Sequence, residues 1–275
     1  MSTAEASVQP SSLLSARLAG QVCVVTAGNQ GLGRTIATQL AAHGARIAYT
    51  GRSAESLTAT TEELKSLGDG NHLPVVCDVT DEAALIALAD TVLEHFGRVD
   101  TVVANAGISG PTKPMIELSL AEWRETQAVN LDGVFLTFRS FAPAMIKQGS
   151  GSLIAIGSIV GKRPLAGRST YAAAKMGVIG LVRTLAVELG PHGVRVNTIC
   201  PGAVSGPRLD GVFREQARAQ GVSEEEFRAE FLKDAPLRRM VTETEIGDAC
   251  AFLASAESLS ITGEDLNINA GVAMY

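Results

Sequence analysis

The feature that most restricts the fold of this chain is an alternation of short β-branched apolar runs with stretches of helical period, repeated along most of its 275 residues. Strand-like runs fall at 22–26, 46–50, 73–77, 100–104, 152–156, 194–199 and around 265–268. Between them lie segments of helical period at 34–43, 53–67, 81–96, 120–147, 171–189 and 243–254, with Ser53 placed to cap the second and Pro143 to bend the fourth. Strands this uniformly apolar are covered on both faces, which is the condition of a parallel sheet sandwiched between helices. Crossovers of one hand then wind the chain outward in two directions. The expected class is α/β: a doubly wound, mainly parallel seven-stranded sheet with helices on both faces. Ligands of such sheets bind at the carboxyl ends of the strands.

One stretch departs from the rhythm. Residues 203–240 carry many charges, suggest two short helices and offer no strand, so they read as a substrate lid over the strand ends. The remainder, 19–275, forms a single domain, and 1–18 reads as a flexible lead-in whose sparse apolar content does not resemble a secretory signal. A net charge of −6 gives no reason to expect nucleic acid or an anionic membrane as partner. Apolar runs stay well short of the ~20 residues of a membrane span. Cys23, Cys77, Cys200 and Cys250 are isolated from one another, as expected of buried reduced thiols in a cytoplasmic protein. His43, His72, His95 and His192 are scattered, so no metal is expected.

Thr26-Ala27-Gly28-Asn29-Gln30-Gly31-Leu32-Gly33 lies between a predicted strand and a predicted helix. In that context glycines let backbone N–H groups approach a pyrophosphate, and the helix N-terminus adds favourable partial charge. This turn resembles the glycine turn of the short-chain dehydrogenase/reductase family. Asn105-Ala106-Gly107 is similar to that family's Asn-Ala-Gly motif, Tyr171-Ala-Ala-Ala-Lys175 to its Tyr-x-x-x-Lys motif, and Pro201-Gly202 to the pair after its sixth strand. Order and spacing agree from about residue 20 to 271. The resemblance implies a Rossmann-like fold and a nicotinamide dinucleotide held by Gly28, Gln30, Gly31, Leu32, Asn105, Ala106, Gly107, Tyr171, Lys175, Pro201 and Gly202. Two positions depart from it. Ala27 stands where glycine is usual, and Asn269-Ala270-Gly271 stands where Asp-Gly-Gly is usual.

Charge argues for the choice of cofactor. NAD-selective folds place an acid at the end of the second strand, on the ribose 2′-hydroxyl. Here that place is Gly51 and Arg52 follows, a guanidinium suited to a forked, charge-assisted pair with a 2′-phosphate. NADP is therefore expected, with NAD as the alternative because Gln30, where the family offers a second basic site, is neutral. Asp78-Val79 resembles the pair that holds the adenine. A plain helix cap is the other reading of Asp78.

Tyr171 and Lys175, four residues apart at the start of a predicted helix, share a face. A phenol with reference pKa of about 10 is a poor base near neutrality, and a neighbouring ammonium brings its ionised form within reach. Ser158 and Asn130 resemble the family's remaining catalytic groups. The serine would hydrogen-bond the substrate oxygen, and the asparagine would hold a water that relays protons through Lys175. The implied activity is hydride transfer between NADP(H) and a carbonyl or secondary alcohol. The alternatives are an NAD-dependent polyol, sugar or hydroxy-acid dehydrogenase and a dinucleotide-binding sensor without chemistry.

Arg168 and Arg208, with Arg163 beside them, are candidates to bind an anionic group on a small alcohol or ketone substrate. Ion pairing with the lid's acids is the competing reading. Phe213, Phe227 and Phe231 either line an apolar pocket or pack the lid. The family resemblance further implies a homo-oligomer, a tetramer in particular, built on the helices at 120–147 and 171–189.

Overall fold

The computed structural model describes residues 17–275, with Arg208 described by its backbone alone. The expected lead-in lies outside the described residues up to position 16. Leu18 already belongs to the core: it is fully buried and its N–H donates to His43 O at 2.9 Å.

Seven strands form one parallel sheet: β1 (Val22–Val25), β2 (Arg46–Gly51), β3 (Leu73–Val76), β4 (Thr101–Ala104), β5 (Gly151–Ile156), β6 (Val194–Pro201) and β7 (Asp265–Ile268). Their order is β3-β2-β1-β4-β5-β6-β7, so the winding reverses between β1 and β4. The helices are α1 (Gly31–Ala42), α2 (Ala54–Leu64), α3 (Glu82–Phe96), α4 (Leu120–Gln127), α5 (Gly133–Gln148), α6 (Ile159–Lys162), α7 (Ser169–Leu189), α8 (Pro207–Gln220), α9 (Glu224–Lys233) and α10 (Glu243–Ala254).

The period of two along each strand divides the core into two layers. Cys23, Val25, Ile47, Tyr49, Val103, Ile154 and Ile156 pack with Ile36, Leu40, Ile246 and Leu253 of α1 and α10. Val22, Val24, Ala48, Val102, Leu153 and Ala155 pack on the other face with Leu88 of α3, Phe138 and Phe141 of α5 and Val178 of α7. Burial on both faces explains the lack of polar alternation in these strands. Ser53 caps α2 as expected, accepting from Ser56 N, and Asp81 caps α3.

The long helical region at 120–147 breaks elsewhere than expected. Pro143 sits inside the unbroken α5, and the interruption is a π turn over Ala128–Asp132. Its cause is local. Asn130 is fully buried, and its amide donates to Thr126 O at 2.9 Å and Ile108 O at 3.1 Å, so a side chain takes an acceptor that the helix would have used.

Both departures from the family pattern fall where the backbone is left-handed: Ala27 has φ 49° and Ala270 φ 55°. An alanine there costs about 1–2 kcal/mol, while glycine gives back roughly 0.4–1 kcal/mol through the unfolded chain. The double variant Ala27→Gly/Ala270→Gly is expected to be about 1 kcal/mol more stable in urea unfolding. A less stable double variant would show that the methyl groups contribute more than the strain costs.

The segment expected to act as a lid comprises α8 and α9, closed at its base where Val204 and Val241 bridge in parallel. Phe213 meets Phe227 edge-on and Phe231 at a tilt, centroids 5.3 and 5.2 Å apart, so these rings form a small core within this segment. Arg228 lies over Phe213 and binds Asp210 at 2.7 Å.

Candidate active site

The glycine turn crosses the sheet top at the point where the winding reverses. Two of its glycines are required by close neighbours and the third by its backbone conformation. A Cβ on Gly33 would lie 2.0 Å from Ala27 O, and one on Gly28 2.8 Å from Tyr49 Cβ, so the first lets the turn fold back on itself and the second lets it pack against β2. Gly31 has φ 48°. The first turn of α1 carries no acid, and its N-cap, Gln30, makes no side-chain cap bond, which leaves the N-terminal N–H groups aimed outward. Glu243 approaches Gly31 from the side, and its Oε2 accepts from Thr35 Oγ1 at 2.7 Å.

Asn105 pins this turn to the end of β4. Its Nδ2 donates to Thr26 O at 3.0 Å and Ala27 O at 3.3 Å, while Thr26 Oγ1 accepts from Asn105 N and Ala106 N. At the end of β2, a Cβ on Gly51 would meet Ser56 Oγ at 2.7 Å and Asn29 Cβ at 3.0 Å. An acid at that position has no room, and the exposed Arg52 follows it. Asp78 Oδ1 accepts from Thr80 N at 2.9 Å and Thr80 Oγ1 at 2.7 Å. These bonds, with a smaller contribution from Arg52, hold its carboxyl below the usual range. Since Asp81 caps α3, the helix-cap reading of Asp78 does not hold. Val79 is buried, with Gly133 of α5 packed against it.

Lys175 is buried, and its Nζ donates to Ile156 O at 2.8 Å, the last residue of β5. The same Nζ lies 5.7 Å from the centroid of the Tyr171 ring. A side chain at Gly107 would meet Asn130 Oδ1 at 2.8 Å and Lys175 Nζ at 3.7 Å, so these two groups share the space that this glycine leaves open. Asn130 Oδ1 is buried and has no hydrogen-bond partner among the described residues. Ser158 caps α6, accepting from Val160 N at 3.1 Å, and Gly161 of α6 packs against the backbone at Lys175. All four expected catalytic residues thus converge on the carboxyl ends of β4 and β5. Gly202, after β6, abuts Asn269, where an added Cβ would come within 2.5 Å of Asn269 Cβ. The Asn269-Ala270-Gly271 turn therefore braces the segment that follows Pro201.

Of the expected substrate arginines, Arg163 is paired with Asp234 on the chain just after α9. Arg168 is 3% exposed, with Nη1 donating to Thr112 Oγ1 at 3.2 Å and its guanidinium carbon 4.8 Å from the Tyr171 ring centroid. Arg208 is the second residue of α8, and its side chain lies outside the described ones. Two other contacts had no signal in the sequence. Gln127 Nε2 donates to Thr170 O at 2.9 Å and steadies the start of α7. Lys162, at the end of α6, is buried against Asp265, which also accepts from Arg183 at 2.7 Å.

Residues 26–273 match the family model described as enoyl-(acyl carrier protein) reductase. The chain is 35% identical to levodione reductase of Leifsonia aquatica over 256 residues, covering 93% of this chain and 95% of the relative. It is also 35% identical to the 3-oxoacyl-[acyl-carrier-protein] reductase of Escherichia coli (strain K12) over 255 residues, covering 93% and 98%. The crystal structure of levodione reductase matches it with a TM-score of 0.87 at 34% identity, covering 94% of this chain and 100% of that one. That of carveol dehydrogenase from Mycobacterium avium in complex with NAD matches with a TM-score of 0.87 at 32% identity, covering 94% and 99%.

Proposed function

The chain belongs to the short-chain dehydrogenase/reductase family of oxidoreductases, and from that premise we propose that it transfers a hydride between NADP(H) and a small carbonyl or secondary alcohol substrate, with Tyr171 as general acid and base. The observation that carries this reading is the placement of the buried Lys175 ammonium beside the Tyr171 ring and Asn130 Oδ1, at the strand ends next to the glycine turn.

The cradle fits a dinucleotide: glycines without room for side chains, an uncapped helix start and Asn105 locking the turn. When bound, the nicotinamide supplies or accepts the hydride. The protein's part is proton chemistry. In reduction, the Tyr171 hydroxyl gives its proton to the substrate oxygen as negative charge builds there, and Ser158 Oγ donates a hydrogen bond to the same oxygen. The resulting phenolate is stabilised by Lys175, whose attraction for it is strengthened by burial away from water. Asn130 Oδ1 offers an acceptor that a water in the relay would satisfy. Gly28, Gln30, Gly31, Leu32, Asp78, Val79, Asn105, Ala106, Gly107, Pro201 and Gly202 are the proposed cofactor contacts, and Arg208 the proposed contact to an anionic substrate group. A homotetramer is the proposed assembly.

Arg52 beside the closed Gly51 position supports NADP. The second reading, NAD, draws on carveol dehydrogenase, a relative of similar fold in complex with NAD. NADPH and NADH consumption compared over ketones, keto acids and keto sugars tests the proposal. Arg52→Glu is expected to weaken NADPH binding, followed by fluorescence, by about 10- to 100-fold, the value of a charge-assisted pair, with NADH binding little changed. Equal losses for both cofactors would place Arg52 away from the 2′-phosphate.

A further inference from the structure

Resting on the tyrosine mechanism just described, we propose that Arg168 is a positioning residue for Tyr171: a second cation, held over the face of the ring, that orients the phenol and favours its ionised form alongside Lys175.

The guanidinium carbon lies 4.8 Å from the ring centroid, nearer than Lys175 Nζ at 5.7 Å. A cation over an aromatic face is drawn to the electron density of the ring. When a phenol loses its proton, negative charge spreads into the ring carbons, so this attraction grows on ionisation. The environment amplifies the effect. Arg168 is 3% exposed, and a charge withdrawn from water acts on its neighbours through a lower effective dielectric.

Three contacts fix the guanidinium and the backbone that carries it. Arg168 Nη1 donates to Thr112 Oγ1 at 3.2 Å, Lys113 N donates to Gly167 O at 3.0 Å, and Gln216 Nε2 from α8 donates to Ala166 O at 3.1 Å. Arg168 therefore stands where the loop after β4, the lid and the catalytic helix meet. Three cations on neighbouring segments are paired with carboxylates. On α6, Lys162 is paired with Asp265; on the loop after β4, Lys113 with Glu122; and after α6, Arg163 with Asp234. Lys175, on α7 itself, donates to a backbone carbonyl. Among the described residues, Arg168 and Lys175 lie against the Tyr171 ring. A buried guanidinium stacked this way suits a role toward the tyrosine better than capture of an anionic substrate.

The test needs no substrate. Tyrosinate absorbance is followed against pH in the protein, with the Tyr171→Phe variant subtracted to remove Tyr49 and Tyr275. Arg168→Gln is expected to move the Tyr171 midpoint up by about one pH unit, the usual scale for losing a nearby opposite charge. Arg168→Lys should restore part of that shift. Thr112→Val, which removes one hydrogen bond from the guanidinium and leaves the charge, should move the midpoint in the same direction by less, and it serves if Arg168→Gln does not fold. An unmoved midpoint in both Arg168→Gln and Thr112→Val overturns the proposal. So does a change confined to the preference between charged and neutral substrates. Because the titration is independent of turnover, a Tyr171→Phe variant that kept its activity would sink the tyrosine mechanism and be told apart from either result.

Discussion

Tyr171→Phe is expected to lower kcat/KM by about 10³-fold while NADPH binding survives, because it deletes one proton-transferring oxygen and leaves the ring in place. The size follows from the arrangement. Near neutral pH an isolated phenol, with a pKa of about 10, holds its proton too tightly to act as a base. The buried Lys175 ammonium and the Arg168 guanidinium both face the Tyr171 ring, so their effect on turnover is exerted through that single hydroxyl. Phenylalanine keeps the stacking surface for Arg168 and the packing of α7, which separates chemistry from folding. Steady-state turnover of the best substrate from the screen, with NADPH fluorescence on the same sample, checks both halves. Turnover within roughly tenfold of the wild type would remove Tyr171 from its acid–base role. A wild type that binds NADPH yet turns over nothing in a broad screen would favour the sensor reading.

The second large effect concerns stability. Asp265→Asn is expected to destabilise the fold by about 3–5 kcal/mol, the usual cost of stranding one member of a buried ion pair. The side chains of Lys162 and Asp265 are 6% and 8% exposed, so Lys162 would be left with Asn267 Oδ1, 3.1 Å away, as a neutral partner. Burial by itself would raise the Asp265 carboxyl. The hydrogen bonds from Lys162 and Arg183 outweigh it, and the net effect is a lowered pKa. A carboxyl held lower in the folded state adds stability that is complete above its unfolded pKa of about 3.9 and is lost as pH falls through the folded value. Asp265→Asn should therefore flatten the acid limb of the stability curve as well as lower its plateau. Replacing both partners, Lys162→Met with Asp265→Leu, should cost less than the sum of the single changes. Urea unfolding as a double-mutant cycle between pH 3 and 7 measures all of this. A cost below roughly 1 kcal/mol for Asp265→Asn would mean that the pair is solvated in solution. Because Lys162 ends the short helix that Ser158 begins, the single variant is also expected to lose turnover.

Much of this protein was legible before folding because its instructions are local. A strand covered on both faces is apolar at most positions, so the near-continuous apolar runs announced a parallel sheet. Gly33 must lack a Cβ whatever lies farther along the chain, because it folds back onto Ala27, six residues earlier. Tyr171 and Lys175 need only one turn of helix to share a face. Arg52 revealed itself by following the place where an acid would otherwise stand, although only the tertiary structure shows the crowding at that place, Gly51, by Asn29 and Ser56.

What the tertiary structure alone decided involves residues far apart in sequence. The break in the long helix comes from Asn130 reaching Ile108 O on another segment, and Pro143, the local signal, marks no break. Arg163 and Arg168 looked alike as loop arginines. Asp234 takes one and the Tyr171 ring the other, so their roles separate only when the lid and the catalytic helix are packed. Lys162 and Asp265, 103 positions apart, become a buried pair only because β7 joins the sheet beside β6. Period and backbone sterics act within a few residues and are written in the sequence. The partner of a charge is settled by which surfaces the finished sheet brings together, and that is where the sequence stops.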